Sequence, residues 1–317
     1  MRPTPSGVGV SEAVPALPAR RRLGAGFVGL AVVTYALLVF GSTVRVHGAG
    51  LACPDWPLCF GQVVPRMDFR VFLEWGHRVL AGGVSLGLLA LGGGVLARPE
   101  LRREVGLHLL VVVATLAVQV VLGGLTVLKL LAFWSVTLHL LCGNAIMVGL
   151  LTLGLRLRRP AALGSSPAGL GLPAALLSSS VLVQLALGGL VSSNYAGMAC
   201  TEWPTCNGGV WFPTFTGIVG LQLVHRIGAY AVLAASAFFA WKARGTAWSP
   251  DARRVLGLVL VQVALGVANV LLVMPAELAV AHAALAHLIV AFTAVAAWRL
   301  VPKKAHAGVT APSPVGA

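Results

Sequence analysis

The amino-acid sequence predicts an all-α membrane protein of eight transmembrane helices, arranged as two tandem four-helix bundles in parallel repeat. Three observations lead there. Of the 317 residues, 58% are apolar and only 10% charged, against roughly 25% charged in a soluble domain. Apolar stretches long enough to cross a bilayer, about 20 residues each, recur eight times between short polar breaks. Two halves of the chain also repeat each other's motifs. This composition excludes a soluble enzyme, a secreted disulfide scaffold and a disordered tail.

The predicted spans are 24–46, 72–97, 105–128, 134–155, 171–194, 218–241, 255–274 and 279–300. Each is expected to be a helix, because a segment in lipid must satisfy its own backbone hydrogen bonds. The first is too long for a signal-peptide core and lacks a small-residue cleavage site, so it is read as a membrane anchor. The Pro/Gly/Ser-rich stretch 159–172 is a cytoplasmic linker between an N-terminal bundle (24–158) and a C-terminal one (173–301), with cytoplasmic tails at 1–23 and 302–317.

Orientation follows the distribution of Lys and Arg. One side carries Arg2, Arg20, Arg21, Arg22, Arg98, Arg102, Arg103, Arg156, Arg158, Arg159, Lys242, Arg244, Arg253, Arg254, Arg299, Lys303 and Lys304, seventeen in all, and the other only the four Arg45, Arg66, Arg70 and Lys129. Both termini are therefore expected in the cytoplasm. The net charge of +14 is a topology signal and not a nucleic-acid footprint.

The repeat carries the chemistry. AGLACPDWPLC from Ala49 returns as AGMACTEWPTC from Ala196, the pair His77-Arg78 as His225-Arg226, VQVVLGG from Val118 as VQVALGV from Val261, and His139 as His282, at offsets of 147, 148, 143 and 143 residues. An even number of spans separates the copies, so both units cross the membrane in the same sense. His77, His139, His225 and His282 each fall a few residues into a span that begins on the outer side. An imidazole inside a membrane is a functional-site hypothesis by default, and two facing imidazoles in a four-helix bundle suit axial ligation of a haem. Zinc fits poorly, with two His per site and no Cys or carboxylate at that depth. Arg78 and Arg226 are placed to meet haem propionates. His287 lies about 140° around the helix from His282, so the two do not share one metal. His47, His108 and His306 are read as structural or solvated.

Cys53 and Cys59 share the first outer loop, and Cys200 and Cys206 repeat that spacing in the third. On the oxidising side of the membrane a disulfide within each loop is expected; each bridge either staples its loop or takes part in redox chemistry. Cys142 reads as a small buried hydrophobe. The halves differ at one pointed position: Glu74 stands three residues before His77, where Gln222 stands before His225. The i, i+3 spacing puts Glu74 on the face of His77, either as a proton-handling carboxylate or as a first-turn acid favoured by the helix dipole and paired with Arg78.

GLACPDWPLC in the first outer loop, EWGHR opening span 2, HR opening span 6 and single histidines in spans 4 and 8 together resemble the haem A synthase family, over about residues 24–300. The resemblance implies a bacterial cytoplasmic-membrane oxidoreductase that converts haem O to haem A by oxidising a ring methyl to formyl through successive hydroxylations. It implies that His77 and His139 hold the substrate haem, that His225 and His282 hold a haem b cofactor, and that Glu74, Cys53 and Cys59 serve catalysis. The implied partners are haem O, haem O synthase, an electron donor and membrane lipid, without nucleic acid; self-association is compatible with the pattern. Competing readings are a di-haem b electron-transfer cytochrome, a quinone-linked thiol oxidoreductase using the outer Cys pairs, and a transporter.

Overall fold

The computed structural model describes residues 16–158 and 169–300. Most of the linker and of the two tails, with His306, lies outside the described residues. The chain forms eight long helices: α1 (Ala16–Val46), α2 (Phe69–Leu96), α3 (Pro99–Leu128), α4 (Phe133–Arg158), α5 (Gly171–Ser193), α6 (Gly217–Lys242), α7 (Ser249–Leu271) and α8 (Ala276–Leu300). All eight are long and apolar enough to cross a membrane. Among the described residues the only other regular structure is a short 3₁₀ turn, Ala196–Met198, and two isolated bridges in the loops between α1 and α2 and between α5 and α6.

Helices α1, α3, α4, α6 and α7 overrun the apolar spans at their arginine-rich ends, since a helix does not stop where hydropathy does. Pro99 and Pro250 open α3 and α7, where a missing N–H leaves no bond unmade. Asp68 caps α2 by accepting the N–H groups of Arg70 and Val71 at 2.9 Å. At the other end α7 stops three residues before the predicted 274. Val273 and Met274 take positive φ of 58° and 55°, and the Met274 N–H reaches back to the Asn269 carbonyl at 2.6 Å. Leu130 and Leu131 turn the chain the same way after α3, so both short turns close as Schellman-type caps without glycine.

Packing follows a ring in each half. α1 packs on α2 and α4, and α3 on α2 and α4; α5 packs on α6 and α8, and α7 on α6 and α8. Contacts of α1 with α8, α4 with α5 and α4 with α8 join the two rings. The α4–α8 contact carries a buried polar pair, Nδ1 of His287 against Oδ1 of Asn144 at 3.1 Å. Small residues bring α1 and α4 together, as lipid-embedded helices require in the absence of a hydrophobic drive. A Cβ on Gly154 would lie 2.8 Å from the Gly24 carbonyl oxygen and 2.9 Å from the Val28 nitrogen.

The largest apolar core of each ring sits at one end, with only small clusters such as Val44, Ala49 and Leu73 at the other. In the first, Phe27, Leu88, Val105, Leu150, Leu153 and Leu157 close the end nearest the arginine-rich side; in the second, Leu177, Phe239, Trp248, Val255 and Leu300 do the same. Ion pairs of Arg20 with Glu104 and of Arg299 with Asp251 seal that side. The other end of each ring is where the four histidines sit.

Gly154→Ala should destabilise the protein by about 1–3 kcal/mol, the usual effect of overpacking a close helix contact. Thermal unfolding in detergent, set against the same change at Gly257, which has nothing within 4 Å, measures it.

Candidate functional site

His77 and His139 lie within about two turns of the starts of α2 and α4, and His225 and His282 at the corresponding points of α6 and α8. α2 and α4 stand diagonally across the first ring and α6 and α8 across the second, so each pair of imidazoles enters one interior from opposite sides. His77 lies near His139, and His225 near His282. Phe40 meets the His77 ring edge-on, with centroids 6.1 Å apart.

The donor chemistry fits a haem. Among the described residues no three His, Cys, Asp or Glu side chains gather as a metal cluster, so each interior offers two imidazoles, the number a six-coordinate haem iron takes from its protein. Nδ1 of His77, His139 and His282 is buried without a partner, and so are the side-chain oxygens of Gln119, Gln184, Gln222 and Gln262. Polar atoms left unpaired away from water are costly; a polar-edged ligand and ring nitrogens fixed by iron would give them work.

Three of those glutamines escaped sequence reasoning. The Gln184 amide nitrogen lies 3.1 Å from Nδ1 of His225 and donates to the His225 carbonyl at 2.9 Å. Gln262 donates to the His282 carbonyl at 3.0 Å, and the Gln119 amide nitrogen stands 3.4 Å from Nε2 of His139. The signal was present: Gln119 and Gln262 are the second residues of the repeated VQVVLGG and VQVALGV.

The loops between α1 and α2 and between α5 and α6 cover these interiors. Cys53 is bonded to Cys59 and Cys200 to Cys206, and all four are buried. Each loop is folded around one acid at equivalent positions. The N–H of Gly61, helped by that of Phe60, holds the Asp55 carboxyl below the usual carboxylate range. The N–H of Gly209, the Thr205 hydroxyl and the N–H of Gly208 do the same for Glu202. Their contribution to loop order is complete above the ordinary carboxylate pKa and is lost only as pH falls through the depressed one.

Arginines tie each loop to its histidine helix. Arg78 donates to the carbonyls of Leu58 at 2.7 Å, Asp55 at 2.8 Å and Cys53 at 3.3 Å. Arg226 donates to Thr205 and Cys200, both at 3.0 Å. Glu74, 4% exposed, accepts the Cys53 N–H at 2.8 Å and pairs with Arg78 at 2.5 Å. Gln222 instead donates to the Gly197 carbonyl at 3.0 Å. The difference of Glu74 against Gln222 is therefore a difference of sign: one loop is gripped by an acceptor carboxylate, the other by a donor amide.

The remaining histidines have other partners. Nδ1 of His47 bonds the Thr43 carbonyl at 2.9 Å, Nε2 of His108 lies 3.4 Å from the Thr152 hydroxyl, and His287 faces Asn144. Cys142 is a half-buried free thiol on α4.

Comparison with known proteins agrees with this geometry. The COX15-CtaA family, described as cytochrome oxidase assembly protein, matches residues 26–294. A protein of Shewanella oneidensis named Heme A synthase is 32% identical, the match covering 79% of this chain and 88% of that protein. Proteins of the same name from Methylobacterium radiotolerans and Methylorubrum extorquens are each 30% identical, over 81% and 86% of this chain and 84% and 85% of their own lengths. From the α1–α8 helices to the paired histidines and disulfide loops, this chain belongs to the COX15-CtaA family of cytochrome oxidase assembly proteins.

Proposed function

We propose that the protein is a haem A synthase of the bacterial cytoplasmic membrane. It oxidises a ring methyl of haem O to the formyl group of haem A through successive hydroxylations. The observation that carries this reading is the recurrence of two imidazoles on diagonal helices in both rings, combined with a carboxylate beside only one pair. In this assignment residues 24–158 form the substrate unit, with haem O held by His77 and His139. Residues 173–301 form the cofactor unit, with haem b held by His225 and His282. A haem b there supplies one-electron transfer at a potential set by its two imidazoles.

The asymmetry between the pairs supports the direction of the assignment. Gln184 touches both the ring and the carbonyl of His225, as suits a resident group. On the other side Glu74 sits at the edge of the substrate interior, where a buried carboxylate holds a proton or steadies positive charge developing on the ring. Arg78 and Arg226 are proposed to receive propionates at the mouths of the two interiors, in addition to holding the loops. Cys53–Cys59, whose first N–H is held by Glu74, is proposed to take part in substrate handling or electron delivery, and Cys200–Cys206 to act as a staple. The termini then face the cytoplasm and the Cys loops the outer side, and haem O synthase and an electron donor are the expected partners.

Extraction of pigment from the purified protein tests the reaction class: haem O or haem A beside haem b supports the synthase, whereas haem b alone in both sites supports a di-haem cytochrome. His77→Ala and His139→Ala should each abolish haem A formation in cells while the second haem is retained; normal haem A in either variant overturns the substrate site. Glu74→Gln keeps an acceptor for the Cys53 N–H and should leave haem bound while slowing turnover about 100-fold or more, the range of general acid–base catalysis. Unimpaired turnover would leave Glu74 as a loop clamp alone. Replacing Cys53 and Cys59 together by Ser should lower turnover at unchanged haem content, and the same change at Cys200 and Cys206 should not; equal effects would make both bridges staples.

A further inference from the structure

Each of the four histidines rests against a glycine of the helix that precedes its own. A Cβ on Gly41 of α1 would lie 3.0 Å from Cε1 of His77, and one on Gly123 of α3 would lie 3.1 Å from Cε1 of His139. A Cβ on Gly188 of α5 would lie 3.3 Å from Cε1 of His225, and one on Gly266 of α7 would lie 3.3 Å from Cε1 of His282. In all four the next nearest ring atom is Nδ1, at 3.6–4.0 Å. The same edge of every imidazole is turned to a neighbouring backbone, and Nε2 is the nitrogen left farther from it. A side chain at any of these positions would have to displace the ring by a few tenths of an ångström.

A second observation is independent of the glycines. One helical turn before Gly123, Gly188 and Gly266 stand Gln119, Gln184 and Gln262, and the i, i+4 spacing puts glutamine and glycine on one face. The amide nitrogens of those glutamines lie 3.4 Å from Nε2 of His139, 3.1 Å from Nδ1 of His225 and 3.0 Å from the backbone carbonyl of His282, respectively. Their Oε1 atoms are buried without partners. In each case the amide nitrogen is the atom turned to the histidine, at a ring nitrogen for His139 and His225 and at the backbone carbonyl for His225 and His282, so the amide ties the histidine to the preceding helix. The fourth position departs. One turn before Gly41 stands Leu37, which brings no amide to His77.

We propose that a glutamine and a glycine one turn apart form a seat that orients each axial imidazole, and that His77, whose seat has Leu37 in place of the glutamine, is the least restrained ligand and the one at which the substrate unit exchanges its haem. This rests on the bis-imidazole reading and on the assignment of the N-terminal unit to substrate. Gln119, Gln184, Gln262 and the four glycines are positioning residues in this scheme. It accounts for one unit keeping its haem while the other, built on the same plan, must take up substrate and release product.

The test uses the haem-loaded full chain in detergent, following transfer of haem to apomyoglobin and the low-spin electron paramagnetic resonance signal of each unit. The unaltered protein should lose the N-terminal haem faster than the C-terminal one. Leu37→Gln should slow the N-terminal loss about fivefold, the worth of one hydrogen bond, without touching the other. Gln184→Leu should speed the C-terminal loss by a similar factor. Gly188→Ala and Gly266→Ala should retain the C-terminal haem and shift its resonance signal alone, while Gly257→Ala leaves both signals in place. Should Gln184→Leu fail to accumulate, Leu37→Gln and the two milder glycine changes carry the test. Unchanged loss rates in Leu37→Gln together with unmoved signals in Gly188→Ala and Gly266→Ala overturn the seat. His225→Ala separates the two levels: loss of one signal with silent seat variants removes only this inference, whereas retention of both signals removes the ligand assignment beneath it.

Discussion

A polar ring inside a bilayer has no water to turn to, and the rest of this structure is organised around four such rings. Each imidazole is tolerated because a neighbouring helix has no side chain where the ring edge lies and, in two of the four cases, brings an amide to the ring, a third amide meeting the histidine's backbone carbonyl. That demand fixes the helix pairs: α1 must approach α2, α3 must approach α4, and the second ring must do the same. The largest apolar cores then lie at the opposite ends, where Leu150, Leu153 and Leu157 in one ring and Phe239 and Val255 in the other pack without polar interruption. Each ring thus has a closed apolar end and a polar end built to accept a flat ligand.

The loops complete the polar ends through charge. Asp55 and Glu202 each collect two backbone N–H groups, a pattern that lets a Pro- and Trp-containing loop fold tightly with a disulfide at its base. Arg78 and Arg226 then clamp loop carbonyls from the histidine helices. Since Arg78 adjoins His77 and Arg226 adjoins His225, a disturbance of either loop is transmitted directly to an imidazole-bearing turn. This coupling is tighter in the first unit, where Glu74 joins the Cys53 N–H to the Arg78 guanidinium.

The two units share a plan and differ in grip. At the level of the loop, an acceptor in the first unit (Glu74) replaces a donor in the second (Gln222); at the level of the ring, Leu37 replaces the glutamine found in the other three seats. Both differences fall around His77. The contact between α4 and α8, with Asn144 against His287, gives the two units a shared polar contact about one and a half turns along from His139 and His282.

The sequence by itself determined the eight helices, their membrane class and the four histidines, because hydropathy and repeated motifs are properties of the chain read in order. Helix ends were less legible: Val273 and Met274 are as apolar as any spanning residue, and only the backbone shows them turning left-handed to close α7. The carboxylate Glu74 was visible, but its choice of the Cys53 N–H as partner depends on how the loop folds back. What only tertiary structure decided is which residue meets which across helices. Gly41 and His77 are 36 residues apart in sequence and Gly188 and His225 are 37 apart; a glycine reads as mere helix weakness until the ring that fills its missing side chain is brought against it, and that contact is set by helix packing, which no local pattern encodes.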